Sequence, residues 1–173
     1  MGNKNRVQGL AFENAVKLQH QIYKNRDQAL IWQSGTRARM VNGRWKAQPS
    51  RPDFEGVIGV DPLRGRMISF DTKSLLQGSK YHHKKAALHQ TKMLWEIEKS
   101  GGIAFLLIEA IELDSICIIL PKPSWARDTG FTVDLLSGED GVRIENTNQM
   151  LPDYLAWIID HAEAWTQFDR RRT

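Results

Sequence analysis

After the glycine pair Gly101-Gly102, the stretch Ile103-Ala104-Phe105-Leu106-Leu107-Ile108 is apolar at every position. Successive side chains on a β-strand point to opposite faces, so a strand of this kind has to be covered on both. The chain must therefore provide a layer on each side of a sheet. This points to an α/β fold, a central β-sheet flanked by helices.

The segments around that strand can be assigned to such layers. From Arg6 to Gln28, Leu10, Phe12, Val16, Ile22 and Tyr23 recur at three- and four-residue steps, which predicts an amphipathic helix. Ala29 to Trp32 reads as a first strand. Asn42-Gly43, between Arg39-Met40-Val41 and Arg44-Trp45-Lys46, favours a type I′ hairpin turn because both positions tolerate positive φ. Asp53 to Val60 and Arg66 to Lys73 form a second hairpin across the turn formers Pro62 and Gly65. Ser74 to His83 reads as a loop, Lys84 to Lys99 as a helix ended by Gly101-Gly102, and Ser115 to Leu120 as a strand stopped by Pro121. A closing helix begins near Pro152 and passes through Leu155, Trp157, Ile158, Ile159 and Trp165. No repeat or linker divides the chain. We expect one domain over residues 1–173, with 35–50 as a basic hairpin and 169–173 as a disordered basic tail.

Composition narrows the function classes. The longest uncharged stretches, Gln28 to Thr36 and Ser100 to Ile108, are nine residues each, less than half of the roughly 20 apolar residues that a membrane helix needs. The expectation is an intracellular, cytoplasmic protein with no membrane partner and no small-molecule cofactor. Cys117, the only cysteine, sits in the apolar run Ile116 to Leu120 and reads as a buried thiol. The charge is unevenly placed: residues 1–92 hold 17 Lys plus Arg against 6 Asp plus Glu, and residues 93–173 hold 7 against 14. A basic half of this kind suits a polyanion, since Lys and Arg that neutralise phosphates release counterions.

The chemistry concentrates in Pro52-Asp53 and Asp71-Thr72-Lys73. Strand alternation puts Asp71 and Lys73 on one face, and antiparallel pairing of the hairpin could bring Asp53 beside Asp71. Two carboxylates that close repel unless a cation lies between them. Oxygen ligands of this sort suit Mg²⁺ or Mn²⁺. Lys73 would then stand beside the metal, able to orient a water or offset charge on a phosphate.

This pattern resembles the PD-(D/E)xK nuclease superfamily, and its surroundings resemble the RecU-type Holliday junction resolvases. The matching features are Asp53-Phe54-Glu55-Gly56, Phe70-Asp71-Thr72-Lys73, His89-Gln90 on a downstream helix, the Gly101-Gly102 strand, and Gly9 with Glu13 on the first helix. The family usually has Glu where Asp71 stands, and an Arg where Gln8 stands. The resemblance implies a restriction-endonuclease-like α/β fold with a mixed central β-sheet flanked by helices and residues 35–50 as its protruding stalk, and a metal-dependent endonuclease that resolves four-way junctions by paired symmetric nicks in DNA recombination and repair, acting as a homodimer. It implies Asp53, Asp71, Glu13 and the Thr72 carbonyl as metal ligands, with Lys73 and Gln90 completing the catalytic set; Glu55, two residues from Asp53 and so on its face, is a reserve ligand. Arg37, Arg39, Arg44, Trp45 and Lys46 on the hairpin, and Lys80, His82, His83, Lys84 and Lys85 beyond the second carboxylate, are the candidate DNA contacts. The alternatives are another PD-(D/E)xK endonuclease acting on duplex or flapped DNA, or a DNA-binding module without catalysis.

Overall fold

In the computed structural model, the residues described are 2–35, 38–41, 43–47, 51–84, 87–126, 130–138, 141–145, 151, 153–163 and 165. The helix α1 (Gly2–Asn25) is followed by the strands β1 (Ala29–Gln33), β2 (Ala38–Val41), β3 (Arg44–Ala47), β4 (Phe54–Ile58), β5 (Met67–Leu75) and β6 (Lys80–His83). Next come α2 (Leu88–Lys99), β7 (Ile103–Ala110), β8 (Ser115–Ile119), a 3-10 turn (Pro123–Ala126), β9 (Phe131–Asp134), β10 (Gly141–Glu145) and α3 (Tyr154–Asp160).

Six strands form the central sheet in the order β1-β4-β5-β7-β8-β10. The sheet is mixed: β5 and β7 run parallel, joined by the crossover through α2, and the other neighbours are antiparallel. β7 is buried at every position but Glu109, as its unbroken apolar run requires. On one face, α1 and α3 close over Phe12, Val16, Tyr23, Phe54, Phe70, Phe105, Tyr154 and Trp165. On the other, α2, the 3-10 turn and a small β6-β9 sheet cover Leu94, Leu106, Ile108, Cys117, Trp125 and Val133. The fold is the restriction-endonuclease-like α/β arrangement that the sequence leads one to expect, and Cys117 is the buried thiol expected.

The hairpin β4-β5 pairs Phe54 with Phe70 and Val57 with Met67. Its partner β1 lies so close that a Cβ on Gly56 would meet the Leu30 carbonyl at 2.3 Å. Glycine is what lets the edge strand seat there. β2 and β3 form their own two-stranded sheet, with Val41 opposite Arg44 across the turn. The expected basic hairpin is therefore present as strands.

The closing helix is bound to the first half of the chain. The Tyr23 hydroxyl donates to Asp153 Oδ1 at 2.9 Å and accepts from the Leu155 amide at 3.2 Å. Asp153 also caps α3 through the Ala156 amide. His20 Nε2 meets the Tyr154 hydroxyl at 2.7 Å, and an Arg66 guanidinium NH donates to the Trp165 carbonyl at 3.3 Å.

Two sequence expectations need correction. Ser74 to His83 is not one loop, because β5 runs on through Leu75 and Lys80 to His83 is a strand paired with the distant β9. α2 starts at Leu88, later than Lys84. Strands β9 and β10, unread in the sequence, complete the small sheet and an edge of the large one. The expected tail at 169–173 lies outside the described residues.

Among the described residues, no helix lies over one row of side chains on the α2 side of the sheet. Leu30, Val57 and Met67 are direct cross-strand neighbours on β1, β4 and β5, and each is between 41% and 53% exposed. Trp32, two residues along β1, is 48% exposed. Met67 also lines a groove of about 290 Å³ together with Met93 and Ile97 of α2.

Candidate active site

The register of β4-β5 brings the acidic residues together. Phe54 lies opposite Phe70, and Asp53, one residue earlier, arrives level with Asp71. The Asp53 backbone is fixed by its carbonyl, which accepts from the Ser34 amide at 2.8 Å. Its own amide donates to Asp71 Oδ1 at 3.3 Å. Asp71 lies on the central strand β5 and is fully buried. Gln90, one turn into α2, donates from Nε2 to the same Oδ1 at 2.8 Å. Asp71 Oδ2 forms an ion pair with the Lys73 ammonium. Asp53 Oδ2 accepts from both the Thr72 amide, at 2.9 Å, and the Thr72 hydroxyl, at 3.0 Å.

The electrostatics follow from packing negative charge into a covered corner. Burial, before anything else, pushes the Asp71 carboxyl up to about 7, with Lys73 opposing and Asp53 adding to the rise. Glu13 of α1 is also raised, first by burial and then by the charge on Asp53. Burial works to lower the Lys73 ammonium, but Asp71, Asp53 and Glu13 together hold its affinity for the proton above the ordinary value. Three carboxyls from three separate elements thus feel one another and one lysine.

This donor set fits a hard divalent cation. Among the described residues no group of three or more His, Cys, Asp or Glu stands ready as a complete metal cage. Mg²⁺ does not need one, since it takes one or two carboxylates and completes its shell with water and phosphate oxygens. The crowding that lifts Asp71 toward neutrality is what a cation between the carboxylates would relieve.

The structure thus brings together Asp53, Asp71, Thr72, Lys73 and Gln90, with Glu13 close enough to share their field. Glu55 does not join them; it is buried and pairs with Arg51 at 3.6 Å. Of the candidate DNA contacts, Lys80, His82 and Lys84 are exposed, and His82 Nδ1 meets the Thr132 hydroxyl at 2.8 Å. His83 is a correction. It is buried, stacked on Phe131 at 4.8 Å and hydrogen-bonded to Tyr81, so its ring faces the interior. The alternation of β6 explains this, because Lys80 and His82 point outward while Tyr81 and His83 point in. Arg39 is opposite Lys46 and Met40 opposite Trp45 on β2-β3, where Arg44 also lies. Arg37 and Lys85 fall outside the described residues.

Sequence reasoning missed two participants. Thr72 was expected to offer only its carbonyl, yet its hydroxyl holds Asp53. Tyr81 was unremarked in an expected loop, yet burial, and after it the field of Asp71 and Asp53 in which it lies, raises its hydroxyl pKa. Only the pairing of β6 with β9 reveals Tyr81, and that pairing leaves no local signal.

Residues 7–123 match the family described as RecU, Recombination protein U. Among curated proteins, no sequence matches the chain.

Proposed function

The chain belongs to the RecU family, and from that premise we propose that it is a divalent-metal-dependent endonuclease that resolves four-way DNA junctions by paired, symmetric nicks. Membership implies a recombination-related Holliday junction resolvase. The observation that carries the finer reading is the convergence of Asp53, Asp71 and Lys73, with Gln90 bonded to the buried carboxylate.

In this reading Asp53, Asp71, the Thr72 carbonyl and Glu13 hold Mg²⁺ or Mn²⁺. When bound, such a metal supplies Lewis-acid polarisation of the phosphate and a more acidic water. The remaining work falls to the chain. Gln90 and the Asp53 amide fix the plane of the Asp71 carboxylate. Lys73 keeps its proton, because three acids surround it, and its positive charge orients the attacking water and stabilises the crowded phosphate. The outward-facing Lys80, His82 and Lys84, with Arg39, Arg44, Trp45 and Lys46 of the β2-β3 hairpin and with Arg37, contact the DNA backbone.

A four-way junction has a two-fold axis, so two cuts related by that axis call for a two-fold dimer with one site per subunit. The uncovered row Leu30, Val57 and Met67, with Trp32 beside it, supports this. A contiguous exposed apolar patch of this kind is the sort of surface a second copy covers.

The test is cleavage of a synthetic four-way junction beside a linear duplex, in Mg²⁺ and in EDTA, with wild type and Asp71→Asn. The expected result is metal-dependent, paired nicks on the junction alone, lost in the variant. Equal cutting of the duplex would turn the reading to a less selective nuclease of the superfamily. Tight junction binding with no cutting in any metal would turn it to a binding module.

A further inference from the structure

We propose that the Thr72 hydroxyl is a positioning residue of this site, fixing the rotation of the Asp53 carboxylate so that Oδ1 is the oxygen presented to the cation. The inference rests on the metal-nuclease reading above and deepens it.

A carboxylate oxygen has two lone-pair directions. Asp53 Oδ2 receives two donors from one residue, the Thr72 amide at 2.9 Å and the Thr72 hydroxyl at 3.0 Å. That oxygen is saturated by neutral donors. Asp71 is treated the same way from another direction, with Gln90 Nε2 at 2.8 Å and the Asp53 amide at 3.3 Å both on Oδ1. Each acid thus has one oxygen held by two donors of the protein. On Asp71 the other oxygen faces Lys73.

Thr72 is well suited to this task. It is 6% exposed on a central strand, and as a β-branched residue it has few side-chain rotations open to it. Its hydroxyl therefore cannot swing away and leave Asp53 free to turn. A backbone amide alone would restrain Oδ2 from one side only. Two donors restrain the carboxylate plane, and a ligand held in one orientation binds a cation with less ordering cost.

Thr72→Val keeps the shape and strand preference and removes the hydroxyl, while Thr72→Ser keeps the hydroxyl. Three readouts separate the outcomes: Mn²⁺ affinity by calorimetry without DNA, junction affinity in EDTA, and single-turnover junction cleavage. Thermal melting checks that each variant folds. Loss of such an orienting bond costs about tenfold or more in metal affinity or activity. Thr72→Val is expected to bind Mn²⁺ and cleave at least that much less well, to bind the junction in EDTA as wild type does, and to be rescued by Thr72→Ser. Wild-type Mn²⁺ affinity in Thr72→Val would overturn the proposal and leave the nuclease reading standing. Equal weakening in the Ser variant would overturn it too, by showing that the hydroxyl is not the cause. A wild-type protein that binds no Mn²⁺ would sink the metal-site reading itself, and the proposal with it.

Discussion

Asp71 in the metal-free protein holds a proton up to about pH 7, because its carboxyl is buried beside Asp53 and Lys73 only partly offsets this. A cation binds the ionised form, so binding at about pH 6 must expel a proton, whereas at about pH 8.5 there is none to expel. Calorimetric Mg²⁺ or Mn²⁺ titrations in two buffers of different ionisation enthalpy are expected to show nearly one proton released at the lower pH. That release should vanish in Asp71→Asn. Gln90 acts on the same carboxylate from α2. Gln90→Ala leaves Asp71 Oδ1 with the Asp53 amide alone, and cleavage rates should fall by about 10 to 100-fold with junction affinity in EDTA unchanged. Residue identities at this corner were legible because a strand period and a hairpin register are local rules: they predicted that Asp53 would meet Asp71. The Thr72 hydroxyl escaped, because strand alternation turns it away from Asp71, and only the position of Asp53 at the strand entrance lets the two meet.

At the scale of elements, α1 is docked by a histidine. His20 is 3% exposed, edge-on to Phe54 at 4.9 Å and bonded to Tyr154, and burial lowers its pKa from 6.5 to about 4. Below pH 6.5 the unfolded chain protonates at this position while the folded chain does not, so the His20 contribution is complete above that pH. It is lost as pH falls from 6.5 to about 4, a loss of about 3 kcal/mol. Asp71 works in the opposite direction over an overlapping range, since its raised pKa makes the folded state the tighter proton binder between its ordinary 3.8 and about 7. The two slopes offset each other in wild type. The expectation therefore concerns a difference: urea midpoints of His20→Gln, compared with wild type in EDTA at pH 7 and pH 5, should converge or cross as pH falls. Long elements such as α1, β5 and β7 announced themselves through periodicity or an unbroken apolar run. The four-residue strands β6 and β9 did not, because what makes them strands is each other, Lys80 opposite Asp134 and His83 opposite Phe131, about fifty residues apart in the chain.

For the whole molecule, the uncovered Leu30-Val57-Met67 row gives the proposed dimer a place to form. Leu30→Glu combined with Val57→Glu should shift sedimentation toward the monomer while the metal-free fold, followed by circular dichroism, stays intact. The paired nicks on a junction should become single and uncoordinated. A second expectation concerns where the chain can be cut. The family match ends at residue 123, but Tyr154, Leu155, Ile158 and Trp165 fill the same core as Phe70 and Phe105. At about 1.5 to 3 kcal/mol for each large side chain buried, removing these four forfeits as much as the whole stability of an ordinary domain, about 5 to 15 kcal/mol. A protein ending at residue 123 is expected to lack a cooperative melting transition, even though Glu13, Asp53, Asp71, Lys73 and Gln90 would all be retained. The bonds from Tyr23, His20 and Arg66 to the closing segment say the same thing in another way. Kinship and packing draw different borders on this chain: the family match stops at residue 123, and the core built by the described residues goes on to Trp165.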